Sequence, residues 1–210
     1  MDLSLYLVTD STYHDENTFL NIVDVACKSG VTIIQLREKD KTTREYMDLA
    51  IKVKKITDKY NLPLIIDDRV DITLAIDAAG VHLGAMDMPI NTARKILGKN
   101  KIIGATAKTV EASVLAQKLG ADYLGVGAIY PTTTKVTTVI TKVSTLNDIC
   151  DNITIPVVAI GGLNASNTDI LDGTKISGIA VVSAIMKSDN VEFDTHNLLE
   201  ISKSIQLKNN

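Results

Sequence analysis

The sequence predicts an α/β protein that folds as a single-domain (β/α)8 TIM barrel. Short apolar runs with strand character alternate with segments of helical periodicity along the whole chain. Such alternation implies parallel strands that are joined by right-handed crossovers. Eight strand-helix units within 210 residues fit a compact barrel, so we expect residues 1–210 to form one domain.

An open, doubly wound parallel sheet is the alternative for this pattern. That fold usually carries a glycine-rich turn directly after its first strand. Here the position is occupied by Thr9-Asp10-Ser11-Thr12, which lacks glycine. The sequence therefore favours the closed barrel.

Each predicted strand is a short apolar run that ends in a polar or glycine-containing segment. In chain order, the predicted strands are Leu3–Thr9, Thr32–Arg37, Leu64–Asp67, Val81–Leu83, Lys101–Ala105, Tyr123–Val126, Val157–Ile160 and Gly178–Val182. The segments between them repeat apolar residues at helical spacing, and glycine follows three of them at Gly30, Gly98 and Gly120, where a left-handed cap is expected. The predicted helices are Phe19–Ser29, Thr43–Tyr60, Val70–Ala78, Ala93–Leu97, Val110–Leu119, Leu146–Cys150, Asn167–Leu171 and Asn197–Leu207, with a short turn near Ala184.

The composition narrows the class of protein. Hydrophobic residues make up 45% of the chain and charged residues 22%, which is ordinary for a globular protein in water. A net charge of -3 without a Lys/Arg cluster argues against nucleic-acid binding. No apolar run is long enough for a membrane span, and the start of the chain does not resemble a signal peptide. Because Cys27 and Cys150 lack metal-ligand spacing, we expect two free thiols and a cytoplasmic protein.

The end of the second strand carries the most informative residues, Gln35-Leu36-Arg37-Glu38-Lys39. Side chains alternate between the two faces of a strand, so Gln35, Arg37 and Lys39 share one face. Two cations and an amide donor on one face suit a diphosphate, since they supply charge-assisted hydrogen bonds. The alternative is a strand that frays into a charged, solvated loop.

Carboxylates follow the third and fourth strands. Asp67 and Asp68 end the third strand, and Asp87 lies just beyond the fourth. In a barrel these ends share one rim, and Mg2+ commonly takes one or two protein carboxylates together with substrate oxygens. The sequence therefore predicts a magnesium site at Asp68 and Asp87. The alternative is a helix cap, with Arg69 as a surface ion-pair partner.

The fourth, fifth and sixth strands add polar groups. His82 lies within a strand between apolar neighbours, so we expect it to be a hydrogen-bonded core residue rather than a catalytic one. The hydroxyl of Thr106 faces the rim or merely ends its strand. After the sixth strand, Pro131-Thr132-Thr133-Thr134-Lys135 supplies hydroxyls and a cation that together suit an anion. The surrounding segment 129–143 is long for a connection and is a candidate lid.

A second anion site is expected after the last two strands. Gly161 and Gly162 follow the seventh strand, where paired glycines let backbone N–H groups approach an anion closely. Val182 and Ser183 end the eighth strand. Barrels often hold phosphate between these two loops. Two anion sites and a metal on one rim suggest a reaction that joins two phosphorylated molecules, one of which loses diphosphate.

The sequence resembles the thiamine-phosphate synthase family in seven segments. The segments occur in the family's order and cover nearly the whole chain. They are Tyr6-Leu7-Val8-Thr9-Asp10, Gln35-Leu36-Arg37-Glu38-Lys39, Asp67-Asp68-Arg69-Val70-Asp71, Gly80-Val81-His82-Leu83-Gly84, Pro131-Thr132-Thr133-Thr134-Lys135, Ala159-Ile160-Gly161-Gly162 and Val182-Ser183-Ala184-Ile185.

The resemblance implies an enzyme that joins 4-amino-2-methyl-5-hydroxymethylpyrimidine diphosphate to a thiazole (carboxy)ethyl phosphate, giving thiamine phosphate and diphosphate. The residues implied to bind the pyrimidine diphosphate are Gln35, Leu36, Arg37, Glu38, Lys39, Asp67, Thr106 and Lys135. Those implied to bind the thiazole phosphate are Thr132, Thr133, Thr134, Gly162, Val182 and Ser183. Asp68 and Asp87 are implied to ligate one Mg2+ per subunit, and Arg37, Lys39 and Lys135 are the implied catalytic residues.

The resemblance also implies a dissociative mechanism, in which diphosphate leaves first and the thiazole nitrogen traps a pyrimidine cation. Such a path needs stabilisation of the departing charge rather than a strong general base. Two positions depart from the family's pattern: Asp67 stands where Asn is usual, and Thr106 where Ser is usual. An ionised Asp only accepts hydrogen bonds, whereas an Asn amide also donates.

Two other functions remain open on sequence grounds. A thiazole tautomerase would need only the phosphate site of the last two strands, and the retained diphosphate residues argue against it. A non-catalytic ligand sensor on the same barrel is favoured only by Asp67. In each case the expected partners are small phosphorylated molecules, with neither nucleic acid nor membrane, and the chain is compatible with a homo-oligomer.

Overall fold

The computed structural model describes residues 1–131 and 139–208, and it confirms the (β/α)8 barrel. Eight parallel strands close on themselves in sequence order, and β1 pairs with both β2 and β8. The strands are β1 Leu5–Val8, β2 Ile33–Leu36, β3 Leu64–Asp67, β4 Gly80–Leu83, β5 Ile102–Ala107, β6 Tyr123–Gly127, β7 Val157–Ile160 and β8 Gly178–Val181.

Alternation along the strands divides the core into two layers. One set of side chains packs inside the barrel, and the other packs between the strands and the helices. The interior cluster contains Leu3, Tyr6, Val8, Ile33, Ile65, Tyr123, Val158 and Ala180. In β1, the neighbours Leu5 and Leu7 instead belong to the larger cluster beneath the helices, and both are fully buried. These side chains therefore fill the inside of the barrel, and the space for a cleft lies at the ends of the strands.

The helices surround the barrel, and some of them begin at a side-chain cap. They are α1 Glu16–Ser29, α2 Thr43–Lys59, α3 Val70–Ala75, α4 Ile90–Leu97, α5 Val110–Leu119, α6 Val143–Asn152, α7 Ser183–Met186 and α8 Val191–Leu207. A capping box starts α2, because Thr42 accepts from the backbone of Glu45 while the Glu45 carboxylate accepts from that of Thr42. Hydrophobic positions on α1 and α2 pack into the outer core layer.

Several predicted helix bounds were wrong, and side-chain caps explain two of the differences. α1 begins three residues before the predicted start because Asp15 accepts a hydrogen bond from the Thr18 backbone N–H. α8 begins at Val191 rather than Asn197 because Asn190 caps the Phe193 N–H in the same way. The predicted helix at 167–171 is a short 3-10 helix, Thr168–Leu171, and the sequence reading missed another at Ser11–Tyr13.

Both cysteines are free thiols, as predicted, with Cys27 buried and Cys150 half-buried. Burial raises the pKa of the Cys27 thiol to about 12, which makes it inert at neutral pH. Within residues 1–131 and 139–208, none of the helices is both long and apolar enough to cross a membrane.

Candidate active site

A cleft of about 220 Å³ opens where the barrel strands end. It brings together most of the site residues that the sequence predicted. Those that line it are Gln35, Arg37, Lys39, Asp67, Asp68, Asp87, Thr106, Gly162, Val182 and Ser183. Because they lie at the ends of six different strands, only closure of the barrel makes them neighbours.

The other predicted site residues either do not line the cleft or belong to the part of the chain that the structure does not describe. Leu36 is fully buried in the outer core, as expected for its face of the strand. The Glu38 side chain is 4% exposed and accepts a hydrogen bond from Ser11 Oγ at 2.7 Å. Neither side chain lines the cleft, so a role in binding would rest on their backbone atoms. Thr132, Thr133, Thr134 and Lys135 lie outside the described residues, as does the rest of the segment 132–138 of the candidate lid 129–143.

The basic end of the cleft is an ordered ion-pair cluster rather than a frayed loop. Lys39 Nζ lies 2.7 Å from Asp67 Oδ2 and also donates to Asp68. The Arg37 guanidinium lies 3.9 Å from Asp67. Partial burial opposes the charge on Lys39, but attraction to the two carboxylates outweighs it and raises the pKa of the ammonium. Both cations are therefore charged and directed into the cleft at neutral pH.

Asp67 is the most deeply buried carboxyl group of this cluster. Its side chain is only 9% exposed. Burial is the main cause that raises its pKa from 3.8 to about 6, and repulsion from Asp68 adds to it, while Lys39 and Arg37 partly compensate. Asp67 thus contacts Lys39 in the ligand-free protein. Its raised pKa means that the ionised carboxylate is less stable there than in water.

Asp68 and Asp87 face each other across the ends of β3 and β4. Asp68 has a left-handed backbone (φ +62°), which is uncommon outside glycine and is held by a hydrogen bond from its N–H to the His82 carbonyl. Gly84 N–H donates to Asp87 Oδ2 at 2.6 Å. The helix cap of the alternative is wrong, because the residue that caps α3 is Arg69, which makes no side-chain cap hydrogen bond. Its other part is confirmed, since Arg69 forms a surface ion pair with Asp71 at 2.5 Å.

The two carboxyl groups share a hydrogen bond, and their pKa values move apart. Burial opposes ionisation of Asp68, but hydrogen bonds from Asp87 and Lys39 outweigh it and lower its pKa. Burial and the Asp68 contact raise the pKa of Asp87. Two carboxyl groups that interact this closely form a place where a cation can be bound.

The donor set fits Mg2+ on chemical grounds. Among the residues that the structure describes, no three His, Cys, Asp or Glu side chains form a metal-binding cluster. A pair of carboxylates suits Mg2+, which keeps several waters and takes further oxygens from phosphate substrates. The Lys39 ammonium on Asp68 shows that a positive charge is already favoured at this position.

A buried hydrogen-bond network crosses the floor of the cleft. Gln35 Nε2 donates to Tyr6 Oη at 2.9 Å, and Tyr6 Oη lies 2.7 Å from Tyr123 Oη. The Tyr123 hydroxyl lies 3.0 Å from His82 Nδ1, and His82 Nε2 lies 2.9 Å from Thr106 Oγ1. His82 is thus hydrogen-bonded, as the sequence predicted, and the structure adds that it lines the cleft. The sequence reading missed the roles of Tyr6 and Tyr123, whose signal was a tyrosine on the inward face of a short strand.

Two glycines make room for this network. A Cβ on Gly104 would lie 2.1 Å from Tyr123 Cζ, and one on Gly125 would lie 3.3 Å from His82 Cε1. Gly104 of β5 and Gly125 of β6 therefore let two large polar side chains, Tyr123 of β6 and His82 of β4, fill the floor.

The opposite end of the cleft is built from backbone. Gly162 has φ +68°, and a Cβ there would lie 2.7 Å from the Tyr130 Cβ, so only glycine fits. Ser183 begins α7 and follows Val182, so the first N–H groups of that helix lack intrahelical acceptors. Backbone donors and a hydroxyl thus meet at one end, while cations and carboxylates meet at the other.

Fold and site together define a TIM-barrel protein with a cleft that has cations and carboxylates at one end and backbone and hydroxyl donors at the other. Comparison with known proteins identifies the family. A sequence profile of the thiamine monophosphate synthase family matches residues 5–185. A thiamine-phosphate synthase 2 from Streptococcus pneumoniae is 54% identical over 198 residues, which cover 94% of each chain. A thiamine-phosphate synthase from Enterococcus faecalis is 48% identical over 201 residues, 96% of this chain and 95% of that one.

A solved structure agrees with both fold and family. The thiamine phosphate pyrophosphorylase from Pyrococcus furiosus superposes with a TM-score of 0.88, at 38% identity, over 97% of each chain. The chain therefore belongs to the thiamine monophosphate synthase family.

Proposed function

We propose that this chain is a transferase that forms thiamine phosphate. It would condense 4-amino-2-methyl-5-hydroxymethylpyrimidine diphosphate with a thiazole (carboxy)ethyl phosphate and release diphosphate. Thiamine-phosphate synthase activity is supported by the family and by relatives at about half identity over nearly the full length. We add to this the particular substrates, the formation of a C–N bond and the need for a metal.

The observation that carries the proposal is that one cleft has two chemically different anion ends. Arg37 and Lys39 supply charge at the end that also holds the carboxylate pair. Gly162 and Ser183 supply backbone and hydroxyl donors at the other end. A diphosphate with its metal suits the first end, and a phosphate monoester suits the second. A tautomerase that handles one thiazole phosphate would have no use for the first end.

The departing diphosphate would be stabilised mainly by fixed positive charge. Lys39 stays tethered through Asp67 at 2.7 Å, and an ammonium carries further donors that can reach the phosphate oxygens. Arg37 adds a planar fork that matches phosphate geometry. Because the ion pairs hold these groups before the substrate arrives, little reorganisation is needed as the C–O bond breaks. Lys135 is proposed to contact the same leaving group.

The residues that would hold Mg2+ are Asp68 and Asp87. When bound, Mg2+ would neutralise charge on the diphosphate and so assist its departure. The chain itself would orient the two substrates, since the ends of β2 to β4 hold one phosphate group and the loops after β7 and β8 hold the other. The thiazole nitrogen would then trap the pyrimidine cation that diphosphate loss leaves behind.

Beneath the reacting groups, the barrel floor excludes water. Tyr6 and Tyr123 are 2% and 0% exposed, and they close the interior below the cleft. A reactive cation formed above such a floor is protected on that side from capture by water.

The test is product formation from both substrates, with Mg2+ and with EDTA. We expect metal-dependent thiamine phosphate from the unmodified protein. Lys39→Met should lose most activity, whereas Lys59→Met, which breaks a surface ion pair with Asp24, should retain it. Absence of product despite tight binding of either substrate would instead indicate a sensor or a single-substrate enzyme. Cytoplasmic location and homo-oligomer formation stay predictions.

A further inference from the structure

We infer that Tyr6, Tyr123 and His82 are positioning residues that fix the hydrogen-bond polarity of the cleft floor. Through them, the Thr106 hydroxyl is set as a hydrogen-bond donor toward the ligand, while the Gln35 carbonyl oxygen is left as an acceptor. The inference rests on the proposed function only where it predicts kinetics. The proton arrangement itself is a property of the ligand-free protein.

The starting point is the amide of Gln35. Its Nε2 group can only donate, so Tyr6 Oη must accept the hydrogen bond at 2.9 Å. Gln35 is 5% exposed, and its amide is held in place by the surrounding barrel. Once its nitrogen is bound to Tyr6, its carbonyl oxygen is the remaining polar atom.

The two tyrosine hydroxyls continue the direction of hydrogen-bond donation that starts at Gln35. Each hydroxyl has a single proton, and buried polar groups are almost always paired. Because Tyr6 Oη accepts from Gln35, its own proton goes to Tyr123 Oη at 2.7 Å. Tyr123 then donates to His82 Nδ1 at 3.0 Å, since it already accepts from Tyr6. The opposite order would leave the Tyr6 proton without an acceptor in this contact set.

His82 continues the same direction of hydrogen-bond donation to Thr106 at the rim. With Nδ1 accepting, the ring proton lies on Nε2, which donates to Thr106 Oγ1 at 2.9 Å. The Thr106 oxygen is then an acceptor toward His82, and its own proton is free for the cleft, which Thr106 lines. A hydroxyl of fixed polarity recognises an acceptor atom on the ligand and disfavours a donor at the same place.

The direct measurement is the tautomer of His82, by long-range ¹H–¹⁵N correlation on labelled, ligand-free protein. The chain has three histidines, so His14→Asn and His196→Asn variants assign the His82 signals. We expect the Nε2–H tautomer in the unmodified protein and loss of this preference in Tyr123→Phe. An Nδ1–H tautomer would mean that the whole network runs in reverse, and would overturn the inference.

Tyr46→Phe is the matched control. It removes an equally buried hydroxyl, which donates to the Leu36 carbonyl outside the network. We expect this variant to keep the His82 tautomer. An equal change of tautomer in Tyr46→Phe and Tyr123→Phe would show a general loosening of the barrel and would contradict the inference.

Kinetics test whether the fixed polarity matters to the reaction. In the unmodified background, Tyr123→Phe should lower kcat/KM by about 10- to 100-fold, as loss of a partner that orients a contacting group typically does. In a Thr106→Ala background the same change should cost at most about threefold, because the hydroxyl that it orients is absent. Equal losses in both backgrounds would refute the coupling. If no product forms at all, the proposed function fails while the tautomer result still decides the inference.

Discussion

Replacing Asp67 with Asn tests the electrostatics of the site most sharply. Asp67→Asn keeps the size and shape of the side chain and removes one buried charge. The carboxyl group is 9% exposed, and its pKa is raised from 3.8 to about 6, mainly by burial. A raised pKa means that the ionised form is less stable in the folded protein than in the unfolded chain.

The size of the effect follows from the two pKa values. Between about pH 4 and pH 6 the folded protein binds more protons at Asp67 than the unfolded chain, so its stability falls as the pH rises through this window. Above pH 6 the loss is complete and amounts to about 3 kcal/mol, at roughly 1.4 kcal/mol for each pKa unit. Asp67→Asn avoids this cost and leaves Lys39 paired with Asp68.

The assay is urea unfolding of both proteins at pH 4 and pH 7.5, without ligands or metal. We expect Asp67→Asn to be more stable by up to about 3 kcal/mol at pH 7.5 and nearly equal at pH 4. The control is Asp71→Asn, because a hydrogen bond from Arg69 lowers the pKa of Asp71 and the same substitution should not stabilise the protein. If Asp67→Asn proved no more stable than the unmodified protein at pH 7.5, the argument that burial dominates at Asp67 would be wrong.

Three further substitutions test the metal pair, the phosphate end and the floor of the cleft. Asp87→Asn should raise the Mg2+ concentration needed for half-maximal product formation by about tenfold or more, because it removes one of two ligands; an unchanged requirement would place the metal elsewhere. Gly162→Ala should weaken binding of the thiazole phosphate, measured by calorimetry, because its Cβ would lie 2.7 Å from the Tyr130 Cβ. Gly173→Ala, also at positive φ (+80°) but with nothing within 4 Å of its Cβ, should retain binding, and an equal loss there would point to backbone strain alone. Gly104→Ala should lower the free energy of unfolding by about 1–3 kcal/mol, as overpacking typically does. The reason is that its Cβ would lie 2.1 Å from the Tyr123 ring. An unchanged melting temperature would show that the two groups are not packed in this way.

Local patterns in the sequence were sufficient for the barrel and for much of its rim. Strand alternation alone placed Gln35, Arg37 and Lys39 on one face, because side-chain direction in a strand depends only on position along it. The same rule put Leu36 on the opposite face, where the structure has it in the outer core. Rim residues such as Asp68 and Asp87 could be grouped because a closed parallel barrel brings all strand ends to one side.

Other features depend on contacts between segments far apart in the chain. The pKa of Asp67 arises from burial together with Asp68, Lys39 and Arg37, and no single segment fixes that balance. The floor network joins β2, β1, β6, β4 and β5, and it exists only because Gly104 and Gly125 leave space for their neighbours.

The sequence by itself thus determined the barrel and many of the residues at its rim, since periodicity and the order of strands along the chain are local properties. Only the tertiary structure decided how those residues are charged, paired and oriented. Burial and hydrogen-bond partners come from strands that the chain brings together over separations such as the 117 residues between Tyr6 and Tyr123.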